Sequence, residues 1–257
     1  MKNRYFIELA YNGTRFHGWQ SQPNAVSVQS EIENVMTKIL REQISLTGAG
    51  RTDAGVHARF YVAHFDSDRQ DLHLSNSSNN KDFVVKFNKV LSRDIVIKDI
   101  YRVKDEAHSR FSAIWRKYEY HISLVKNPFL TEYSYFFPRV LHVQKMIDAA
   151  QVLFQYDDFT SFSKLHTDNK TSICKLYEAS WSENSDLLIF TIKADRFLRN
   201  MVRAIVGTLI DVGLGKLDIA GLKQIIESKN RCKAGISVPA QGLFLTEIAY
   251  PDDLKIY

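Results

Sequence analysis

The sequence has few features of exported, membrane-spanning or metal-binding proteins. Two cysteines in 257 residues, Cys174 and Cys232, are too few for a disulfide framework and do not form a Cys-x-x-Cys pair. No apolar run reaches the roughly eighteen residues of a membrane helix. Glu8 interrupts the only stretch near the N-terminus that a signal peptide could use. We therefore expect a cytoplasmic protein with reduced thiols and no membrane association.

Metal-ligating patterns are also missing, because none of the eight histidines forms a His-x-x-x-His or His-Glu-x-x-His pair. What is present is ordinary globular composition, with 45% hydrophobic, 12% aromatic and 25% charged residues. At roughly 150 residues per domain, the length predicts one large domain or two small ones. Disordered and collagen-like classes are excluded.

Positive charge is concentrated in three segments, although the net charge of the chain is only +5. The segments Arg102–Lys117, Lys193–Arg203 and Lys223–Lys233 together carry +9, and the remaining residues carry −4. If the segments meet on one surface, they would attract a polyanion such as a nucleic acid. The alternative is three separate solvated faces, and the charge pattern alone leaves both open.

Apolar spacing predicts a mixed fold in which strands and helices follow one another without a strict βαβ alternation. Strands are predicted at 5–11, 44–46, 60–65, 95–103, 118–124, 173–182, 187–194 and 243–250. Helices are predicted at 28–40, 83–91, 143–154, 197–212 and 217–228, and the Asn/Ser-rich segment 71–82 is predicted to be a polar surface loop. The class is α+β with a mainly antiparallel sheet. A division near residues 104–110 separates sub-domains 1–105 and 106–257.

The most informative stretch is the glycine-rich run Gly48–Ala58, which lies between two predicted strands. Three glycines in this run flank a single carboxylate, Asp53, and Arg51 stands two residues before it. The run lacks the spacing of known phosphate-binding loops, and the acid would repel a phosphate. An aspartate beside an arginine is ionised at neutral pH. Asp53 is therefore a candidate nucleophile or base.

Gly50–Ala58 resembles the signature of TruA-type tRNA pseudouridine synthases, whose nucleophile is the aspartate of G-R-T-D-x-G-V-H-A. Four further stretches resemble the same family in the family's order: Tyr11–Gln20, Arg116–Tyr120, Phe197–Gly207 and Ala240–Leu245. The resemblance implies two ferredoxin-like sub-domains that share an extended, mainly antiparallel sheet, with helices outside and a central basic cleft. It also implies a homodimer that binds the anticodon stem-loop of tRNA.

The reaction that this resemblance implies is the isomerisation of uridine to pseudouridine at tRNA positions 38 to 40. The bond from the ribose C1′ to N1 breaks, the uracil turns, and C5 bonds to C1′. This chemistry needs one carboxylate and neither a metal nor an organic cofactor. We therefore expect an isomerase that uses no cofactor.

The resemblance also assigns roles to individual residues. Asp53 is the nucleophile, Tyr118 stacks on the target ring and accepts the C5 proton, and Arg203 pairs with Asp53. Arg51 resembles the residue that takes the place of the flipped nucleotide. Leu243 resembles the apolar residue that closes the pocket beneath Tyr118. Arg110, from the first basic segment, is predicted to bind RNA.

Several of these assignments have a structural alternative. Tyr118 and Leu243 could belong to the core, and Arg203 could form a solvated basic stripe with Arg196 and Arg199 on one helix face. Trp19 and Gln20 could contact RNA or stabilise a loop. The Asn/Ser-rich segment departs from the family pattern and bears on substrate range.

Two other functions remain open at the level of sequence. A catalytically idle RNA-binding protein or tRNA chaperone on the same fold would have no need of a nucleophile. A hydrolase that uses Asp53 would need a second carboxylate or a histidine base, and the only histidine close in sequence is His57.

Overall fold

A computed structural model describes residues 2–70, 72, 78–164 and 171–256. The chain forms two compact units, Met1–Ile114 with Leu245–Tyr257 and Trp115–Phe244. The final segment of the chain therefore returns to the first unit. The division into residues 1–105 and 106–257 stays a prediction about domains.

Strands and helices follow one another along the described residues. The strands are β1 (Asn3–Tyr11), β2 (Thr47–Gly48), β3 (His57–Ser67), β4 (Ile95–Arg102), β5 (Trp115–Ser123), β6 (Tyr135–Phe136), β7 (Leu176–Asn184), β8 (Leu187–Ala194) and β9 (Leu243–Ala249). The α-helices are α1 (Val28–Leu40), α2 (Ser78–Val90), α3 (Val143–Val152), α4 (Met201–Gly213) and α5 (Ile219–Glu227). Short 3₁₀ turns connect several of them, including Ala240–Gly242 before β9. The α+β class is confirmed.

In the first unit the strand order is β4-β1-β3-β9, with β2 beside β3, and β9 belongs to this unit from Leu245 onward. β1 is antiparallel to both β3 and β4. On one face of the sheet, Phe6 forms a buried cluster with Val62, Val103 and Ala107. Helix α1 begins with a capping box between Ser27 and Ser30, which satisfies backbone donors at the helix start.

In the second unit β8 lies between β5 and β7 and is antiparallel to both, and β6 runs parallel to β5. Tyr118 lies opposite Ile192, and Tyr120 lies opposite Phe190. Helix α3 packs against α4 and β7. α4 is apolar on most sides, which is typical of a buried helix.

Several boundaries predicted from the sequence are wrong. β3, β5 and β7 each begin three residues away from the predicted start. Residues 44–46 are not a strand, and the short β2 lies just after them at Thr47–Gly48. Helix α2 begins at Ser78, inside the segment predicted to be a loop, while residues 71 and 73–77 of that segment lie outside the described residues. α4 begins at Met201 rather than Phe197, because Asn200 has a φ of 69° and cannot continue a helix before it.

Within the described ranges, no helix is long and apolar enough to cross a membrane. The same residues contain no group of three or more His, Cys, Asp or Glu side chains placed to hold a metal ion.

Candidate active site

Asp53 lies in a tight loop that leads from β2 to β3. The backbone N–H of Val56 donates to the carbonyl oxygen of Asp53 at 3.2 Å, which closes a turn with Ala54 and Gly55 at its centre. The N–H of Gly55 donates to the carbonyl oxygen of Phe16 at 3.3 Å. Asp53 is half-buried. The carboxylate therefore stands on a short loop whose backbone is tied to a second loop.

That second loop, Asn12–Trp19, supports the Asp53 loop by backbone contacts. The N–H of Gly13 donates to His57 Nδ1 at 3.1 Å, and the N–H of Trp19 donates to the carbonyl oxygen of Thr52 at 3.4 Å. Gly18 has a φ of +86°, and a Cβ there would lie 2.3 Å from the Thr52 oxygen. Only glycine meets both conditions.

These contacts decide between the two interpretations of Trp19. The Trp19 side chain is 1% exposed and belongs to the core of the first unit. Gln20 is exposed, and its amide nitrogen donates to Gln29 Oε1 at 3.0 Å. The Tyr11–Gln20 stretch therefore supports the Asp53 loop.

Arg51 and Arg110, both predicted to bind RNA, line one open pocket of the first unit. The pocket has a volume of about 220 Å³, and its walls include Trp19, His108 and Phe111. The Phe111 ring is 75% exposed, His108 packs on it at 4.4 Å between centroids, and the Arg110 guanidinium carbon lies 5.4 Å from its centre. Two cations and an exposed ring are suited to a nucleotide, because phosphates pair with arginine and bases stack on aromatic rings.

Phe111 was missed in the sequence, although its position in the first basic segment next to Arg110 could have indicated it. An exposed aromatic residue beside an arginine is a typical element of a nucleic-acid surface. On sequence alone, Phe111 could equally have been a core residue, since phenylalanine is usually buried.

A buried polar network holds the backbone under Arg110 and Phe111. Ser109 Oγ donates to the carbonyl oxygen of Thr47 at 2.6 Å and lies 2.9 Å from His64 Nδ1. The Ser109 N–H also donates to His64 Nδ1 at 3.2 Å. Burial, and next the nearby His108, lower the pKa of His64 to about 4. A neutral imidazole can accept the Ser109 N–H, so the network ties the Arg110 segment to β2 and β3 at neutral pH.

In the second unit, Tyr118 is a half-buried residue of β5. Its ring meets Phe197 edge to face, with 5.0 Å between centroids and 85° between planes. Phe197 is the first residue of the Phe197–Gly207 stretch. Two of the stretches on which the resemblance rests therefore meet at Tyr118.

Arg203 lies in the first turn of α4 and is half-buried. Its Nε donates to the carbonyl oxygen of Val238 at 2.7 Å. The neighbouring Tyr120 hydroxyl donates to the carbonyl oxygen of Pro239 at 2.7 Å. Burial raises the pKa of Tyr120, and the charge of Arg203 acts in the opposite direction. Arg203 and Tyr120 thus hold adjacent peptide groups of one segment.

The predicted basic stripe on one helix face is wrong. Arg196 and Arg199 precede the start of α4, so they do not share a helical face with Arg203. Leu243 is 7% exposed and begins β9. The residue before it, Gly242, lies against β5, since a Cβ there would be 2.8 Å from Tyr120 Cζ.

The candidate residues are divided between the two units. Asp53, Arg51 and Arg110 belong to the first unit, and Tyr118, Arg203 and Leu243 belong to the second. The pairing of Arg203 with Asp53 and the closing of a pocket by Leu243 stay predictions.

Comparison with known proteins identifies the family of this chain. Residues 149–251 match a family model described as tRNA pseudouridine synthase. A tRNA pseudouridine synthase A of Bacteroides fragilis is 50% identical over 252 residues, which is 98% of each chain. Proteins of the same name are 49% identical in Porphyromonas gingivalis, over 98% of each chain, and 39% identical in Chlamydia muridarum, over 98% of this chain and 93% of that one. Because the similarity extends over nearly the whole length, the chain belongs to the tRNA pseudouridine synthase A family of isomerases.

Proposed function

We propose that this protein converts uridine to pseudouridine in the anticodon stem-loop of tRNA, at positions 38 to 40, with Asp53 as the nucleophile. The observation that carries the proposal is the Asp53 loop, where the unbroken run Gly50–Ala58 forms a turn held by backbone contacts from Asn12–Trp19. A carboxylate carried on a short, supported loop provides the nucleophile that this reaction requires.

The proposed reaction is balanced without an added reagent. The Asp53 carboxylate attacks C6 or C1′ of the target, or assists deprotonation of the sugar, and the C1′–N1 bond breaks. The uracil turns, C5 bonds to C1′, and Asp53 is regenerated because its bond to C1′ or C6 breaks or the sugar proton returns. The C5 proton then leaves, and N1 gains a proton. Tyr118 stacks on the ring, and its hydroxyl oxygen accepts the C5 proton while the phenolic proton passes to water. No electron is gained or lost, so the reaction needs no redox cofactor.

The target base must leave the RNA stack before Asp53 can reach it, which costs a few kcal/mol. In the proposal Arg51 enters the vacated place, and phosphate contacts and stacking offset the cost. Arg110 and Phe111 support this role, because both are exposed at the pocket that Arg51 lines. Leu243 closes the uracil pocket beneath Tyr118.

The proposal is tested by mapping pseudouridine in bulk tRNA from cells that lack the protein. We expect pseudouridine to disappear at positions 38 to 40 and to return when the wild-type chain is restored. Purified protein should also modify an isolated anticodon stem-loop. Loss of pseudouridine at other positions, with 38 to 40 unchanged, would contradict the proposed substrate.

A homodimer in the cytoplasm completes the proposal and rests on the family resemblance. Light scattering of the purified protein should give twice the chain mass of 29.7 kDa. A mass of one chain at micromolar concentration would contradict the dimer.

Arg203→Ala is expected to reduce the rate of isomerisation strongly while tRNA affinity changes less. The physical reason is that Asp53 would lose its orienting cation. The Val238 carbonyl would also lose the Arg203 donor, and such a loss costs about 1–3 kcal/mol when the acceptor is buried. Single-turnover rates, tRNA binding and thermal unfolding separate these effects.

The control for rate and stability is Arg199→Ala, which removes an exposed arginine from the same stretch. A surface arginine should change stability by no more than about 0.5 kcal/mol. Equal rates for Arg203→Ala and the wild type would remove Arg203 from the catalytic set. Rescue of the rate by Arg203→Lys would indicate that the charge suffices without the guanidinium geometry.

The basic segments predict a strong salt dependence of tRNA binding. Some of their charges are paired internally, since Lys104 bonds to Asp253 and Lys229 bonds to Asp158, at 2.7 and 2.8 Å. Arg110 and Lys233 are exposed. Each phosphate neutralised adds about −0.7 to −0.9 to the slope of log affinity against log salt.

Arg110→Glu and Lys233→Glu should each weaken binding of all substrate tRNAs by similar factors and flatten this slope, because phosphate contacts do not read bases. Filter binding in a series from low to moderate salt measures both the tRNA affinity and the slope. Lys38→Glu, an exposed lysine outside the three segments, is the control. Reversals that behave like the control would show that the segments are separate solvated faces.

A further inference from the structure

Two buried tyrosine hydroxyls hold the residues on either side of Arg51. Tyr61, on β3, is 0% exposed. Its hydroxyl donates to the carbonyl oxygen of Gly50 at 2.5 Å and accepts from the Gly50 N–H at 3.4 Å. One phenol thus contacts both polar backbone groups of the residue before Arg51.

Tyr11, at the end of β1, acts on the residue that follows Arg51. Its hydroxyl lies 2.9 Å from Thr52 Oγ1, and the Tyr11 side chain is 4% exposed. The carbonyl oxygen of Thr52 accepts from the Trp19 N–H. Thr52 is therefore held through both its side chain and its backbone.

The two phenols and Trp19 form one packed aromatic group. Trp19 stacks on Tyr61 with 4.1 Å between centroids, and Tyr11 meets Tyr61 edge to face at 5.6 Å. A Cβ at Gly48 would lie 2.2 Å from the Tyr61 hydroxyl oxygen and 2.4 Å from Trp19 Nε1. Glycine at 48 thus lets the aromatic group approach the backbone that leads into the Asp53 loop. Neither hydroxyl can move away without displacing these rings.

A phenylalanine ring would fill the same space as each tyrosine ring, so the hydroxyls are not needed for packing. A buried hydroxyl is costly to desolvate and is retained where its hydrogen bonds are needed. Here those bonds go to the Asp53 loop, on both sides of an arginine whose own side chain is exposed. A side chain that must enter a base stack needs a fixed backbone, since reaction geometry tolerates little displacement.

We propose that Tyr61 and Tyr11 are positioning residues that act through Arg51, by fixing the peptide groups of Gly50 and Thr52. The proposal rests on the function given above for Arg51. The two hydroxyls accelerate the step in which the target base leaves the stack, and they contribute little to the affinity for tRNA.

The test compares Tyr61→Phe and Tyr11→Phe with a matched control, Tyr5→Phe. Tyr5 is also 0% exposed, and its hydroxyl donates to a backbone carbonyl, that of Arg69, at 2.7 Å. All three variants lose one buried hydroxyl. We expect similar thermal unfolding for the three, with tRNA affinity within about threefold of the wild type. The single-turnover rate should fall about tenfold or more for Tyr61→Phe and Tyr11→Phe only.

A double-mutant cycle with Arg51→Ala tests whether the tyrosines act through Arg51. Contacting or mechanistically linked residues give non-additive effects. In the Arg51→Ala background, Tyr61→Phe should change the rate less than about twofold. A full additional loss in that background would overturn the proposal, and so would equal rates for Tyr61→Phe and Tyr5→Phe.

The same experiments separate this inference from the proposed function. Retained activity of Asp53→Asn would remove the function assigned to the loop whatever the tyrosine variants do. An inactive Asp53→Asn together with wild-type rates for both tyrosine variants would overturn the positioning role alone.

Discussion

Asp53→Asn should abolish detectable pseudouridine formation while tRNA affinity stays within a few fold of the wild type. Asparagine keeps the size and much of the hydrogen bonding of the side chain but removes the nucleophilic charge. The loop should persist, because its turn and its contacts to Phe16 and Trp19 are made through backbone groups. The rate at saturating tRNA therefore falls, while the affinity for tRNA shows no matching change.

The measurement is single-turnover formation of pseudouridine at saturating tRNA, with binding measured separately on the same preparation. Asp186→Asn is the control, since it changes an exposed aspartate between β7 and β8 in the same way. If Asp53→Asn keeps more than a few per cent of the wild-type rate, the nucleophile is a different group.

Tyr118→Phe should bind tRNA normally and either stall after the C1′–N1 bond breaks or turn over very slowly. Phenylalanine keeps the ring, so the edge-to-face contact with Phe197 and any stacking on the target remain. Only the hydroxyl is lost. General base catalysis typically contributes about 10²–10⁴ in rate, which sets the size of the expected loss.

Release of a hydrogen isotope from C5 of a labelled uridine reports the proton-transfer step. It is measured together with pseudouridine formation. Tyr156→Phe is the control, because it removes a hydroxyl of the second unit that bonds to Glu227 at 2.7 Å. Normal turnover of Tyr118→Phe would show that the hydroxyl takes no part in proton transfer.

The sequence by itself determined the features that depend on local pattern. The aromatic and β-branched composition of Tyr5–Tyr11 predicted β1, since such side chains favour strands. The three- and four-residue spacing from Val28 to Leu40 predicted α1, because burial of one helix face imposes this period. The motif Gly50–Ala58 indicated the family and Asp53, which the comparisons with relatives confirmed for the family. Local chemistry of this kind is readable without a fold.

Contacts between residues far apart in the chain were decided by the tertiary structure alone. Periodicity could not show that Arg203 bonds to Val238, or that helix α4 would begin only after Asn200. Nor could it place Arg51 and Arg110 at one pocket, with Phe111 exposed there.

The clearest case is the set of tyrosines in the first unit. Tyr5, Tyr11 and Tyr61 all occur in strands and are all buried, so their burial and pattern are alike. Only the folded chain shows that the Tyr5 hydroxyl bonds to Arg69 while the other two bond to the residues around Arg51. The period of a strand determines which face a ring lies on. The partner of its hydroxyl depends on which loop the tertiary fold brings to that face.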